Sequence, residues 1–296
     1  MSHAHQPGIL AELPPQARFL HFQLSAEATA GLVREELSAL PIDEGLVVGV
    51  GPPVVALLGG EIPGLRPMPH LVGPGVEMPS TPAGLWCWLR GKDRGDLVHA
   101  TYALAEELAG CFELVEVSDA FVHREGRDLS GYVDGTENPV GERAAAVALV
   151  SGAGEALDGS SFLATQTWFH DLNSLHCQPQ AQQDDVFGRR LSDNSEFEQA
   201  PASAHVKRTA QESFEPEAWL LRRSMPWADP SGEGLVFVAF AASLEPFEAI
   251  ARRMVGLEDG VVDALFQFTR PLTGSCYWCP PRTADGRLRL DAALGA

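Results

Sequence analysis

The chain has 296 residues, 45% hydrophobic and 21% charged, which is ordinary for a globular protein with one large or two moderate cores. Forty Asp and Glu against 21 Lys and Arg give a formal net charge of −19. This charge repels nucleic acid and anionic membranes. It therefore argues against both as partners and leaves solubility, or attraction of cationic substrates, as its role.

The N-terminus and the cysteines indicate a compartment. Residues 1–15 are polar and contain prolines, without a basic region followed by an apolar run, so they do not resemble a secretory signal. We expect them to form a disordered tail. No stretch is long and apolar enough to span a membrane. Five cysteines are an odd and sparse set that favours reduced thiols, so we expect a cytoplasmic protein.

Periodicity and turn signals predict strands and helices in the same order in two halves of the chain. The first half is expected to contain strands at 17–24, 46–50, 85–90 and 112–123, a helix from Ser25 to about Leu40, a helix from Asp93 or Asp96 to Gly110, and an irregular loop at 59–82. The second is expected to contain strands at 161–169 and 235–242, a helix at 179–187 ending at Gly188, and a helix with Pro246 in its first turn that ends at Gly256. The similar order and spacing indicate a duplicated α+β unit.

The most distinctive stretch is Gly-Tyr-Val-Asp-Gly-Thr-Glu-Asn-Pro at positions 131–139. An Asp-Gly step is typical of turns, because glycine adopts positive φ at no steric cost and Asp and Asn side chains bond to their own backbone. A connecting loop is thus the simplest interpretation. The two glycines around Asp134 also hold one carboxylate on a tightly specified backbone.

This stretch resembles the GxxDG signature of the dye-decolorizing peroxidases, a family of haem enzymes built from two ferredoxin-like halves. The resemblance implies an α+β fold of duplicated ferredoxin-like domains, each an antiparallel sheet with helices. It further implies domains at 1–130 and 131–296, with haem b (iron protoporphyrin IX) bound in the C-terminal one. Within the motif, it makes Asp134 the expected proton shuttle and Asn138 a cofactor-binding residue.

His205 lies in Ser-Ala-His-Val-Lys-Arg at 203–208, which resembles the segment that supplies the proximal haem ligand in this family. Neutral imidazole is a common axial ligand of haem iron. The alternative is a surface histidine beside a basic pair. The other histidines lack a second ligand at metal-binding spacing and are interpreted as structural.

Residues 220–226, Leu-Leu-Arg-Arg-Ser-Met-Pro, resemble the strand that carries the family's distal arginine. Arg222 and Arg223 compete for this role, and strand alternation sends them to opposite faces. Arg222 matches better because it precedes Pro226 by four positions; a salt-bridged surface arginine remains the alternative. Ser224 stands where some relatives have Asn, and it is included among the expected cofactor-binding residues.

Asp263 lies in an apolar segment, where an unpaired carboxylate would be costly. In the family, an Asp near this position accepts a hydrogen bond from the proximal histidine. The resemblance therefore makes Asp263 the expected partner of His205.

Two other motifs look like a metal site and a dinucleotide-binding loop, but the sequence argues against both functions. Cys276 and Cys279 form a CxxC, but positions three apart on a strand face opposite ways and cannot easily bind one ion. Residues 49–54 follow a strand like a dinucleotide-binding loop, but the third glycine is missing and two prolines remove amide donors.

The predicted function is a haem peroxidase that reduces hydrogen peroxide and oxidises small aromatic reductants such as dyes and phenols, in a homo-oligomer. A non-catalytic haem carrier on the same fold is the main alternative. An interaction module without a cofactor is a weaker one.

Overall fold

The computed structural model describes residues 5–295. Its strands are β1 (Gln16–Leu24), β2 (Leu46–Val50), β3 (Leu71–Gly73), β4 (Val76–Met78), β5 (Leu85–Gly91), β6 (Phe112–Phe121), β7 (Ser161–His170), β8 (Leu221–Arg222), β9 (Met225–Asp229), β10 (Gly232–Ala241), β11 (Thr269–Pro271) and β12 (Ser275–Cys279). Its α-helices are α1 (Pro7–Leu10), α2 (Ala30–Ala39), α3 (Pro52–Leu58), α4 (Arg94–Glu107), α5 (Gly141–Ala148), α6 (Leu172–His176), α7 (Gln180–Phe187), α8 (His205–Arg208) and α9 (Glu245–Met254). None of the helices in this part of the chain is long and apolar enough to cross a membrane.

The same strand arrangement occurs twice. In the first half β1 lies between β5 and β6, and α4 connects these two strands. In the second half β7 pairs with β10 and β12, and α9 connects those. Every pairing is antiparallel, so the predicted duplicated α+β fold is confirmed. The repeat is consistent with the expected domains 1–130 and 131–296, which stay a prediction.

The two halves share one sheet that closes on itself. The strands follow one another in the order β7-β12-β2-β5-β1-β6-β9-β10, and β10 pairs back with β7. Two of these strand pairings consist of a single residue pair: β12 pairs with β2 at Trp278 and Val50, and β6 pairs with β9 at Ala120 and Trp227.

Both halves fill the interior of this closed sheet with aromatic side chains. Phe19 stacks between Trp86 and Trp88 at ring-centroid distances of 5.8 and 5.7 Å. Phe240 and Tyr277, from the second half, pack against Trp86 at 6.4 Å each. All five side chains have no solvent exposure. Burial of such large side chains typically contributes about 1.5–3 kcal/mol each.

The expectation of a disordered N-terminal tail is wrong for residues 5–15; residues 1–4 lie outside the described part. Gln6 is fully buried, and its amide bonds to Val48 N–H at 2.7 Å, Val48 C=O at 2.8 Å and Pro280 C=O at 3.0 Å. Ile9 is buried among the aromatic side chains. The segment thus links β2 to the residue that follows β12, and polar composition alone did not reveal it.

The elements differ from expectation at three places. Thr29, not Ser25, caps α2, and its hydroxyl accepts the N–H of Leu32. The prolines after Gly51 occupy the first turn of α3, where proline's missing N–H costs nothing. The expected loop at 59–82 contains the short β3–β4 hairpin, whose two strands are joined by a turn at Gly75.

Candidate active site

Three adjoining cavities meet at Asp134 and Arg222. About 1010 Å³ of space free of protein atoms belongs to the outer cavity and about 990 Å³ to the mostly apolar one, which we call the large cavity; both figures include open solvent. The outer cavity shares His205 with the large cavity and adds Arg189 and Lys207. The small cavity, with about 430 Å³ of space free of protein atoms, is also lined by Asp134 and Arg222, together with Asn138 and Ser224. The large cavity's apolar wall comes from three elements and includes Trp168 of β7, Leu235 and Phe237 of β10, and Phe247, Ile250 and Met254 of α9.

The loop carrying Asp134 is fixed by its backbone. Gly131 and Gly135 have φ of +93° and +76°, a region that side chains rarely adopt. Arg127 and Val133 form an antiparallel bridge, and Asp134 N–H bonds to the Gly126 carbonyl at 3.0 Å. The predicted turn is therefore present, and glycine occupies the two positions whose φ would strain any other residue.

Asp134 lines all three cavities. Burial raises the pKa of its carboxyl, the charge of Arg222 opposes this increase, and the nearby Asp128 adds to it. A carboxyl that binds its proton more tightly than usual, at a cavity wall, is suited to acid–base chemistry.

Arg222 ends the short strand β8, and Asn138 holds its backbone. Arg222 N–H donates to Asn138 Oδ1 at 2.8 Å, and Asn138 Nδ2 donates to the Arg222 carbonyl at 2.8 Å. Within residues 5–295 the buried Nε of Arg222 has no hydrogen-bond partner. Arg223 points elsewhere, to the carbonyls of Ile9 and Leu10 at 3.3 and 3.1 Å. Arg222 is thus the arginine at the cavities, as the sequence predicts.

His205 begins α8 and lines the large and outer cavities. Its Nδ1 lies 2.8 Å from Asp263 Oδ2. Asp263 is 1% exposed, and its Oδ1 accepts the N–H of Leu265 at 2.9 Å. Because the carboxylate is an acceptor, we assign the proton to Nδ1, which leaves Nε2 with a free lone pair. This is the arrangement of a metal-binding histidine with a carboxylate partner.

Asn138 and Ser224 both line the small cavity. The Asn138 amide is engaged by the Arg222 backbone, as described. Ser224 is 6% exposed, and its hydroxyl accepts the N–H of Val238 at 3.3 Å. These contacts give both side chains a role in holding β8 against its neighbours.

A second histidine–carboxylate pair escaped the sequence interpretation. His170 Nε2 lies 3.1 Å from Asp128 Oδ2, and both residues line the large cavity. Burial lowers the pKa of His170, but the hydrogen bond and charge of Asp128 outweigh it and raise the pKa. A lone histidine carries no sequence signal, and its partner is 42 positions away.

Comparison with known proteins identifies the family. The family model for the C-terminal part of Dyp-type peroxidases matches residues 125–284. A dye-decolorizing peroxidase of Rhodococcus erythropolis is 30% identical over 227 residues, which are 75% of this chain and 66% of that protein.

Two solved structures have the same fold. The dye-decolorizing protein of Vibrio cholerae is 28% identical, with a TM-score of 0.83 over 92% of this chain and 96% of that one. A variant of Rhodococcus jostii DypB in complex with haem is 23% identical, with a TM-score of 0.87 over 97% and 99%. The chain belongs to the DyP-type peroxidase family, and it is an enzyme of the peroxidase class.

Proposed function

We propose that the protein is a haem b peroxidase that reduces hydrogen peroxide and oxidises electron-rich aromatic compounds such as dyes and phenols. The observation that carries this proposal is the meeting of His205, Asp134 and Arg222 at one cavity. A histidine with a carboxylate partner, a proton-binding carboxyl and a fixed cation are the groups that this reaction needs.

The residues present fit an iron porphyrin. The large cavity is mostly apolar, as the faces of a macrocycle require, and His205 supplies one nitrogen ligand. Among residues 5–295, no group of three or more His, Cys, Asp or Glu could bind a bare metal ion. His205 would hold the iron through Nε2, and Asp263 would orient the ring and raise its basicity. Bound haem would supply the redox-active iron.

Asp134 is the group that would move the proton. Cleavage of peroxide requires a proton to leave one oxygen and reach the other. A positioned carboxyl that accepts and then returns this proton typically contributes ~10²–10⁴-fold to the rate. The raised pKa of Asp134 makes it a better proton acceptor than an exposed carboxylate.

Arg222 would stabilise the negative charge that develops on the departing oxygen. Its guanidinium stays protonated at ordinary pH, and its backbone is fixed by Asn138. Loss of a fixed donor at such a position costs about 3 kcal/mol in comparable sites.

The wider setting forms part of the proposal. We infer that small aromatic reductants approach through the outer cavity, which is polar and adjoins His205 and Arg222. The five cysteines are free and four of them are buried, which is consistent with a reducing cytoplasm. A homo-oligomeric state stays a prediction from the family resemblance.

The test is peroxide-dependent oxidation of a phenol and an anthraquinone dye by haem-loaded protein. Asp134→Asn and Arg222→Leu are expected to lower kcat/KM for peroxide by about 10²-fold or more with unchanged haem content. Arg223→Leu, which changes the neighbouring guanidinium outside the cavities, is the control. Wild-type rates in both site variants would favour the haem-carrier alternative.

A further inference from the structure

Asp128 and Asp134 lie on the same side of one tight loop. Arg127 and Val133 form an antiparallel bridge, and Asp128 and Asp134 each directly follow one of these two residues. Because side chains alternate between faces along a strand, Asp128 and Asp134 point to the same face. Asp128 N–H bonds to the Tyr132 carbonyl at 2.9 Å, which continues this pairing. Both carboxylates line the large cavity and the small cavity. The two acids are therefore neighbours at the same walls.

Asp128 is held by two donors in a poorly solvated place. Its Oδ1 accepts the N–H of Ser130 at 2.8 Å, and its Oδ2 lies 3.1 Å from His170 Nε2. The side chains of Asp128 and His170 are only 13% and 7% exposed. An isolated charge is costly in such a place, whereas a hydrogen-bonded pair of opposite charges is tolerated. Burial alone would raise the pKa of Asp128, but the hydrogen bond and charge of His170 lower it.

Four charged or titratable groups act on Asp134 and His170. Asp134 is influenced by Asp128, by Arg222 of β8 and by His205 of α8. His170 is influenced by Asp128 and by Glu233 of β10. Among the groups within residues 5–295 that most affect Asp134, Asp128 is the acid, and a nearby like charge strengthens the proton binding of a carboxylate.

We propose that Asp128 and His170 are positioning residues for Asp134: His170 keeps Asp128 ionised, and the Asp128 carboxylate makes Asp134 the stronger base. The purpose of this effect rests on the proposed role of Asp134 in peroxide cleavage. The electrostatic coupling itself does not, because it exists whether or not the protein turns over.

The test is a pH titration of the protonated-carboxyl infrared band of Asp134 in haem-loaded protein. This band is assigned by its loss in Asp134→Asn. Asp128→Asn keeps the shape of the side chain and can still bond to Ser130 and His170. It is expected to move the midpoint of the band to lower pH by about one unit, the effect of removing a nearby like charge.

Asp184→Asn is the matched control. Asp184 is also a buried carboxyl attached to the same loop, since its Oδ1 accepts the Tyr132 hydroxyl at 2.5 Å, and it lines none of the three cavities. Its replacement is expected to leave the midpoint in place. An unmoved midpoint in Asp128→Asn, or an equal shift in Asp184→Asn, would overturn the inference.

His170→Gln tests the other half of the pair. Glutamine can still donate to Asp128 but carries no charge, so burial is expected to make Asp128 take up a proton at higher pH than in wild type. The measurable result is an additional protonated-carboxyl band that disappears in the double variant Asp128→Asn/His170→Gln. Absence of this band would show that His170 does not keep Asp128 ionised. A protein that lacked peroxidase activity yet showed both infrared effects would refute the proposed function and leave the coupling intact.

Discussion

Asn138 holds the backbone of Arg222 at two points, with its Oδ1 accepting the N–H and its Nδ2 donating to the carbonyl, each at 2.8 Å. This arrangement copies the hydrogen bonds of a neighbouring strand. It joins the loop of Asp134 to the strand of Arg222 across 84 positions of sequence. The two groups assigned to peroxide cleavage are thus set relative to each other by one side chain.

Replacement of Asn138 by alanine is expected to lower both stability and activity while haem binding is retained. Asn138→Ala leaves the partly buried N–H and carbonyl of Arg222 without the bonds from Asn138, so the free energy of unfolding should fall by about 1 kcal/mol. The kcat/KM for peroxide should fall as well, because Arg222 loses its fixed position, while haem content is retained. Thr136→Ala, which removes only an exposed hydroxyl that accepts from Asn194, is the control. Equal rates in the two variants would contradict this role of Asn138.

Asp263→Asn is expected to raise the reduction potential of the haem-loaded protein. The carboxylate increases the basicity of His205 through the bond to Nδ1, and a more basic ligand stabilises the oxidised metal. Spectroelectrochemical titration measures the change. Glu258→Gln, an exposed acid paired with Arg253, should leave the potential unchanged. An unaltered potential in Asp263→Asn would mean that the bond to His205 has no electronic effect.

Gly188→Ala should weaken haem retention. Gly188 ends α7 with φ of +78°, and an added Cβ would lie 2.4 Å from Cγ2 of Val206 and 3.1 Å from Cβ of Ala204, the two neighbours of His205. Gly152→Ala is the matched control, since it has the same φ of +78° but nothing within 4 Å. Both should lose about 1–3 kcal/mol of stability from backbone strain. Only Gly188→Ala should also lose haem faster, as measured by transfer to a haem acceptor protein.

His21 should contribute to acid destabilisation. Burial lowers the pKa of His21 from 6.5 to about 4. Between these pH values the unfolded chain binds the proton and the folded chain does not, so stability falls as pH falls through this window and levels off below about pH 4. The loss from this residue is about 3 kcal/mol. Urea unfolding of His21→Gln should show a shallower pH dependence than wild type, whereas the exposed His99→Gln should not.

Local pattern predicted much of the fold, whereas the roles of the expected site residues came from the family resemblance and stay predictions. The strands at 46–50 and 161–169 and the helix ending at Gly188 are encoded by short apolar runs and glycine signals, which depend on neighbours in sequence. Asp134, Arg222 and His205 were singled out by the resemblance of three short segments to the family, and the structure brings the three residues to one cavity.

What could not be predicted depends on partners distant in sequence. Gln6 is polar and near the N-terminus, and its burial is explained by its bonds to Val48 and Pro280, which lie 42 and 274 positions away. His170 resembles any histidine at the end of a strand until Asp128 is placed beside it. In both cases the side chain satisfies groups that local sequence does not reveal.

The closed sheet has a consequence for the independence of the two halves. β7 and β12 need β2 to continue the ring, and the interior rings of Trp86 and Tyr277 cover one another. If the chain were cut between residues 130 and 131, each fragment would carry exposed strand edges and a bare aromatic face, and each would be expected to aggregate alone and to fold when mixed with the other. The two halves are thus expected to behave like the subunits of an obligate dimer that are joined in one chain, neither of which folds without the other.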